Sequence, residues 1–245
     1  MCGRYALLED EKAVADLFGI ENIEQFPPRY NIAPTQPILM IGTDGASQIA
    51  PILVRWGLVP SWVKEPGEFS LLLNARSETA IEKPSFRNAM RHHRMLIPAS
   101  GYYEWYRKGE EKQAYWVRPR DGGIMAFGGL MESWASPDGS EIDSGCILTT
   151  SANKSLSSIH HRMPVIIRSQ DFERWLDCKT QEPRDIKDLM LPFDEDYLEA
   201  IPVGKAVNKV SNSDPEIQTR VEIETTGEGL KKPGNPVETD QMNLF

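Results

Sequence analysis

Cys2 carries more chemical potential than any other thiol in this chain. Removal of Met1 would leave its α-amine and thiol on adjacent carbons, a 1,2-aminothiol that no internal cysteine can offer. An unperturbed α-amine titrates at about 8 and a thiol at about 8.5, so a usable fraction of each is deprotonated at neutral pH. An aldehyde can condense with the amine to an imine, and the thiol can then add to the imine carbon, closing a five-membered thiazolidine. Read alone, a second residue is more often part of a frayed terminus, so the remaining segments decide.

Several of these segments concentrate suitable groups. Asn74-Ala75-Arg76-Ser77-Glu78-Thr79 follows the apolar Leu71-Leu72-Leu73, so a strand is expected to deliver an amide, a guanidinium and a carboxylate to one place, although a solvated turn explains the run equally well. Gly101-Tyr102-Tyr103-Glu104-Trp105 sets one carboxylate between aromatics in an expected strand, a placement that suits proton transfer and fits an ordinary surface strand equally well. Ser158-Ile159-His160-His161-Arg162-Met163-Pro164 offers imidazole beside guanidinium just before the apolar Val165 to Ile167, suited to proton shuttling although an isolated histidine pair is more often structural. Tyr30-Asn31-Ile32-Ala33-Pro34-Thr35 adds amide donors, and Arg55-Trp56-Gly57-Leu58-Val59-Pro60-Ser61-Trp62 adds two indoles. Trp56 reads as core, whereas Trp62, beyond the Pro60 turn, is placed to stack on a base.

The elements that must position these groups read as mostly β. Val14, Leu17 and Phe18 recur at helical spacing ahead of Gly19, which predicts a helix over 9–18. Ile38 to Ile41 and Gln48 to Trp56 are β-prone runs around the hairpin signal Gly42-Thr43-Asp44-Gly45. Short strands follow at Arg94 to Pro98, Tyr102 to Arg107, Gln113 to Arg118, Ile124 to Leu130 and Cys146 to Ser151, punctuated by Gly-rich turns. Close spacing of this kind favours antiparallel pairing, because parallel strands need long crossovers. The expected fold is therefore α+β and β-rich, a mostly antiparallel sheet curled toward a barrel with a few peripheral helices. One such helix is expected to start at Ser169 as N-cap with Phe172, Trp175 and Leu176 inward, and another to carry Ile186, Leu189 and Met190.

Composition narrows the function classes. No apolar run approaches the roughly 18 residues that span a bilayer, and no secretory signal is present, so a cytoplasmic protein is expected. Three cysteines without a CxxC pair argue against a disulfide framework and a zinc site. Cys146 and Cys178 read as structural thiols, and no metal or cofactor is expected. The formal charge of −9 means that any nucleic-acid surface must be a local cluster of cations.

Taken together, Cys2-Gly3-Arg4, Asn31-Ile32-Ala33-Pro34, Trp56 to Trp62, Asn74 to Thr79, Gly101 to Trp105, His160-His161-Arg162-Met163-Pro164 and Val207-Asn208 resemble the SOS-response-associated peptidase family, also described as abasic-site processing proteins. The likeness runs from Cys2 to roughly Glu222. It implies capture of a ring-opened abasic sugar in single-stranded DNA by Cys2, with Asn74 orienting, Glu104 moving protons, and His160 assisting imine formation and its reversal. It also implies DNA contacts from Arg4, Asn31, Trp62, Arg76 and Arg162. The family position after His160 is often acidic, whereas His161 stands there in this chain.

The resemblance places a capturing domain over 1–224, working as a monomer, and leaves 225–245 as a disordered tail too polar to pack. That tail ends Gln241-Met242-Asn243-Leu244-Phe245, similar to the pentapeptide by which bacterial proteins dock on the replication sliding clamp. Gln241 would hydrogen-bond at the rim of an apolar groove filled by Met242, Leu244 and Phe245. Two other function classes remain open at this level: a thiol peptidase that attacks a carbonyl after removing its own Met1, and a noncovalent reader of damaged or modified DNA.

Overall fold

A computed structural model describes residues 2–43, 48–109 and 111–223. Among these the chain forms β1 (Tyr5–Leu7), β2 (Arg29–Ile32), β3 (Pro37–Thr43), β4 (Ile49–Trp56), β5 (Asn74–Arg76) and β6 (Arg94–Ala99). It continues through β7 (Gly101–Lys108), β8 (Glu111–Pro119), β9 (Met125–Ala135), β10 (Glu141–Ser151), β11 (Arg162–Pro164), β12 (Ile166–Ile167) and β13 (Leu198–Val203). Four short helices accompany them: α1 (Glu11–Phe18), α2 (Ser77–Ala80), α3 (Arg87–His92) and α4 (Phe172–Leu176). The β-rich α+β expectation is met, and no described helix is long and apolar enough to cross a membrane.

Ring closure organises the larger sheet. Strand β10 pairs with β9 from Glu141↔Ala135 to Ile147↔Gly129, while its other edge meets β4 at Ser144↔Arg55 and Gly145↔Trp56. Because β4, β3, β6 and β9 are already joined in that order, these two pairings close a five-stranded barrel. The β10–β4 and β10–β5 pairings are parallel, exceptions within an otherwise antiparallel sheet. Met40 occupies the barrel interior and sets the need for small residues around it: a Cβ on Gly129 or Gly145 would stand 2.6 or 2.5 Å from its thioether atoms. A second sheet, ordered β13-β8-β7-β1-β2, lies beside the barrel. Edge-on contacts of Tyr5 and Tyr102 with Phe127 of the barrel tie the two sheets through aromatic packing.

The helical expectations fare unevenly. Asp10 caps α1 by accepting from the Ala13 N–H at 2.9 Å, and Gly19 ends it in the left-handed region at φ 68°. Ser169, in contrast, is not a helix N-cap: Ser169–Asp171 is a 3-10 turn leading into the five residues of α4, whose position is held by buried Phe172, Trp175 and Leu176. The helix expected around Ile186 to Met190 is also only a 3-10 turn, Lys187–Met190. Pro183 precedes this segment and Pro192 follows Leu191, and a residue before proline disfavours the α conformation. Leu71 to Leu73 forms no strand of its own; Leu72 makes a single bridge to Leu58. The hairpin residues 44–47 and the tail, including Gln241 to Phe245, lie outside the described residues.

Arg94 is the least expected member of the core, only 2 % exposed at the start of β6. Its guanidinium donates to the carbonyls of Met90 (2.8 Å), Trp175 (2.7 Å), Asp177 (2.7 Å) and Gln181 (3.0 Å). One side chain thus fastens the 175–181 segment to the barrel. Arg94→Met keeps the apolar stem but strands four acceptors, so denaturant unfolding is expected to show a loss of about 3–5 kcal/mol. A loss below about 1 kcal/mol would mean that water replaces the guanidinium at little cost.

Candidate active site

The groups singled out by type meet where the two sheets abut. Residues preceding β1 continue its pairing with β7, since the Tyr103 N–H donates to the Arg4 carbonyl at 2.9 Å beyond the Tyr5↔Tyr102 pair. This lays Cys2 beside Glu104. The barrel brings the rest through β10: Ile147↔Asn74 and Thr149↔Arg76 register β5 on one edge, and Ser151↔Arg162 registers β11 on the other. The polar run from Asn74 is therefore a strand followed by helix α2, and not a solvated turn.

Cys2, Asn74, Glu104 and His160 form one cluster. The Asn74 amide Nδ2 donates to the Cys2 carbonyl at 2.8 Å. Its Oδ1 is buried and has no hydrogen-bond partner among the described residues, an acceptor held in reserve next to the N-terminal residue. Glu104, 6 % exposed, accepts from the Trp105 N–H on Oε1, and its Oε2 lies 3.8 Å from His160 Nδ1.

The imidazole is oriented by the backbone. The Arg162 N–H donates to His160 Nδ1 at 3.0 Å and the Arg162 carbonyl lies 3.3 Å from the same nitrogen, so the backbone of residue 162 fixes the ring's orientation. Burial lowers the His160 pKa below its ordinary 6.5, against the opposing pull of Glu104. The ring therefore stays neutral at physiological pH and stacks on His161 at 4.4 Å.

The thiol departs from the simple expectation. Cys2 is only 1 % exposed, and burial, followed by the nearby Glu104 carboxylate, pushes its pKa well above the ordinary thiol value. Burial and the neighbouring carboxylate favour the protonated thiol here, because a thiolate in this setting is poorly solvated and faces a like charge.

The five residues expected to touch DNA divide into two groups. Trp62 is 58 % exposed, edge-on to Phe69, and Arg76 is exposed where β5 passes into α2. Arg4, Asn31 and Arg162 are engaged within the protein. Arg4 Nη1 donates to Asn31 Oδ1 (2.7 Å) and the Val207 carbonyl (3.0 Å), while Asn31 Nδ2 donates to the carbonyls of Lys209 and Asn212. Arg162, 8 % exposed, makes a two-pronged ion pair with Glu78 at 2.6 and 2.9 Å. That pair holds the Glu78 carboxylate below its usual range.

Glu78 was legible only as one member of a polar run, and its partner lies 84 residues away in the chain. Trp105 Nε1 also donates to Asn208 Oδ1 at 2.8 Å, which explains why Val207-Asn208 belongs with the site segments. Cys146 is fully buried in β10 and Cys178 is partly buried outside the cluster. No described group of three His, Cys, Asp or Glu side chains could hold a metal.

The chain is similar to known proteins over most of its length. The abasic site processing protein YoqW of Bacillus subtilis is 37 % identical over 221 residues, covering 89 % of this chain and 98 % of the relative. The abasic site processing protein HMCES of Gallus gallus is 30 % identical, with 81 % and 68 % of the two chains covered. A crystal structure of a Bacteroides thetaiotaomicron protein superposes with a TM-score of 0.81 at 27 % identity, over 90 % of this chain and all of the other. The family model of the SOS response associated peptidases (SRAP) matches residues 1–210, and the chain belongs to that family.

Proposed function

We propose that this protein processes abasic sites in single-stranded DNA by joining itself covalently to them through Cys2, protecting the lesion during replication and the damage response. The observation that carries the reading is the convergence of Asn74, Glu104 and His160 on the N-terminal residue. Relatives named as abasic site processing proteins support the substrate class.

Once Met1 is removed, the Cys2 amine attacks C1′ of the ring-opened sugar. Asn74 Oδ1, without a partner in the described chain, supplies the acceptor that orients an N–H of that amine. Glu104 carries protons between the amine and the sugar oxygen; the carbinolamine loses water to give the imine. The thiol then adds to the imine carbon, its proton passing by way of Glu104 to the ring nitrogen. Aldehyde and aminothiol thereby become thiazolidine plus one water. A ring N–H of neutral His160 donates to the opened sugar and assists the reverse step.

Trp62 and Arg76 are the exposed contacts for base and phosphate. Arg4, Asn31 and Arg162 shape the floor of the site, and a phosphate reaches Arg162 only by competing with Glu78. Gln241, Met242, Leu244 and Phe245 would tether the protein to the sliding clamp.

Incubation of wild type with abasic single-stranded oligonucleotide should give an adduct that survives denaturing electrophoresis. Cys2→Ala should give none, and Glu104→Gln should form it about 100-fold more slowly or worse. Peptide cleavage in the absence of any adduct would instead favour a thiol peptidase. Equal retention of abasic DNA by wild type and Cys2→Ala under native conditions, with no adduct from either, would favour a noncovalent reader.

Two rising limbs are expected in the rate of adduct formation against pH. The upper follows deprotonation of the amine at about 8. The lower, below 6.5, follows loss of a proton from His160, because protonated Nδ1 cannot accept from the Arg162 N–H. His160→Gln should slow the reaction and remove only the lower limb; a lower limb that survives this substitution would exclude His160 as its source. Deleting residues 241–245 should abolish capture of the protein by immobilised sliding clamp, and equal capture of both forms would end that part of the proposal.

A further inference from the structure

A basic cleft stands apart from the cluster around Cys2. In a protein of net charge −9, residues 83–94 hold four Lys or Arg and two of the four histidines, with no acid among them. The structure turns this stretch into one wall of a cavity of about 660 Å³ lined by Ile81, Arg87, Arg91, His92, Glu182 and Arg184, among others. Arg87 and Arg91 are exposed one turn apart on α3 and so project from the same face.

Three guanidinium groups, of Arg87, Arg91 and Arg184, line the cleft, against two carboxylates that pair with them, Glu182 and Asp185. Glu182 lies 3.5 Å from Arg91, and among the described residues Arg184 pairs with its chain neighbour Asp185, at 3.9 Å. The nearby Asp188 is already taken by Arg174 in a two-pronged pair. The cleft therefore keeps an unneutralised positive charge.

Both walls are fixed in advance. Arg94 fastens the segment that leads into Glu182 through the carbonyls of Trp175, Asp177 and Gln181. On the other side, Asn88 Nδ2 donates to Glu132 Oε1 at 2.8 Å and pins α3 to the barrel. A rigid, open and mostly polar cleft rich in guanidinium is the chemistry that recognises phosphodiester groups.

Its position supplies the identity of the strand. Ile81 lines the cleft and lies one residue beyond α2, whose other end adjoins Arg76 and Asn74 of the active site. Ile81 is seven positions after Asn74, which bounds their separation at about 25 Å even for extended chain. A DNA strand advances about 3.4 Å per nucleotide, so the cleft is within several nucleotides of a lesion held at Cys2.

We propose that the cleft formed by Arg87, Arg91 and Arg184 binds the phosphate backbone of the DNA flanking the lesion, as a second anchor that adds affinity without taking part in the chemistry. The inference rests on the DNA reading above, and its test is separable from that reading. Noncovalent binding is measured by fluorescence anisotropy with a stable abasic analogue lacking the C1′ hydroxyl, so that no cross-link forms.

Two oligonucleotide lengths are compared, one with a single nucleotide on each side of the analogue and one with about ten, a reach well past the cleft. Arg87→Glu/Arg91→Glu should weaken binding of the long oligonucleotide roughly tenfold and lower the slope of log affinity against log salt by about 0.7 for each phosphate that is no longer neutralised. The short one should bind as to wild type. Arg184→Glu, on the opposite wall, should act in the same direction and guards against misfolding of the double variant, which thermal melting also checks.

Long flanks present as single strand or as duplex, on either side of the analogue, show which arm the cleft holds. Variants that bind every long oligonucleotide as wild type does, or that lose the short one equally, overturn the proposal. Failure of wild type to form an adduct with genuine abasic DNA would instead defeat the capture mechanism and leave this comparison readable.

Discussion

Strand β10 must find hydrogen-bond partners along eleven residues on both edges, and the site depends on how it does so. Its first part closes the barrel between β9 and β4. Its last part, freed from those neighbours, takes β5 and β11 instead. That exchange places Asn74 and Arg76 on one side and Arg162, with His160 just before it, on the other. Backbone pairing in the second sheet sets Cys2 against Glu104 by the same logic. The cluster is thus positioned by main-chain ladders, which are rigid compared with loops, and the side chains need only short reaches to meet.

Electrostatics then divides the labour among those side chains. A buried thiol beside a carboxylate stays protonated, while a buried imidazole that accepts a backbone N–H stays neutral. In the capture mechanism this arrangement favours attack by nitrogen before sulfur. It also limits indiscriminate thiol chemistry, since a buried protonated thiol reacts slowly with electrophiles that do not first form an imine. The Glu78–Arg162 pair adds a second discipline to the proposed mechanism, in which an incoming phosphate would have to compete with a carboxylate already bound on both prongs.

Much of this was legible in the sequence, for identifiable reasons. The strands from Arg94 to Ser151 announced themselves by β-prone runs between Gly-rich turns, and Trp62 was readable as exposed because it follows a proline turn outside those runs. Asn74, Glu104 and His160 stood in polar or mixed runs that fit an ordinary turn or surface strand equally well, and only the family resemblance singled them out. What failed was whatever depends on distant partners or on fine helical geometry. Apolar residues three apart fit a 3-10 turn as well as an α-helix, so Ile186 to Met190 was over-read. Barrel closure hinges on Ser144 meeting Arg55, a pairing no local pattern encodes. Burial of Arg94 and Arg162 is decided by carbonyls and a carboxylate far along the chain, and the thiol's raised pKa by its enclosure.

The central claim is that one residue, Cys2, supplies both bonds to the lesion carbon. Peptide mapping by mass spectrometry of the protein cross-linked to an abasic oligonucleotide tests this most directly. The account predicts that the nucleotide remnant sits on the N-terminal peptide, that Met1 is gone, and that the adduct weighs the sum of the two reactants less one water. A remnant attached to Cys146, Cys178 or a lysine, or an adduct that retains Met1, would contradict it.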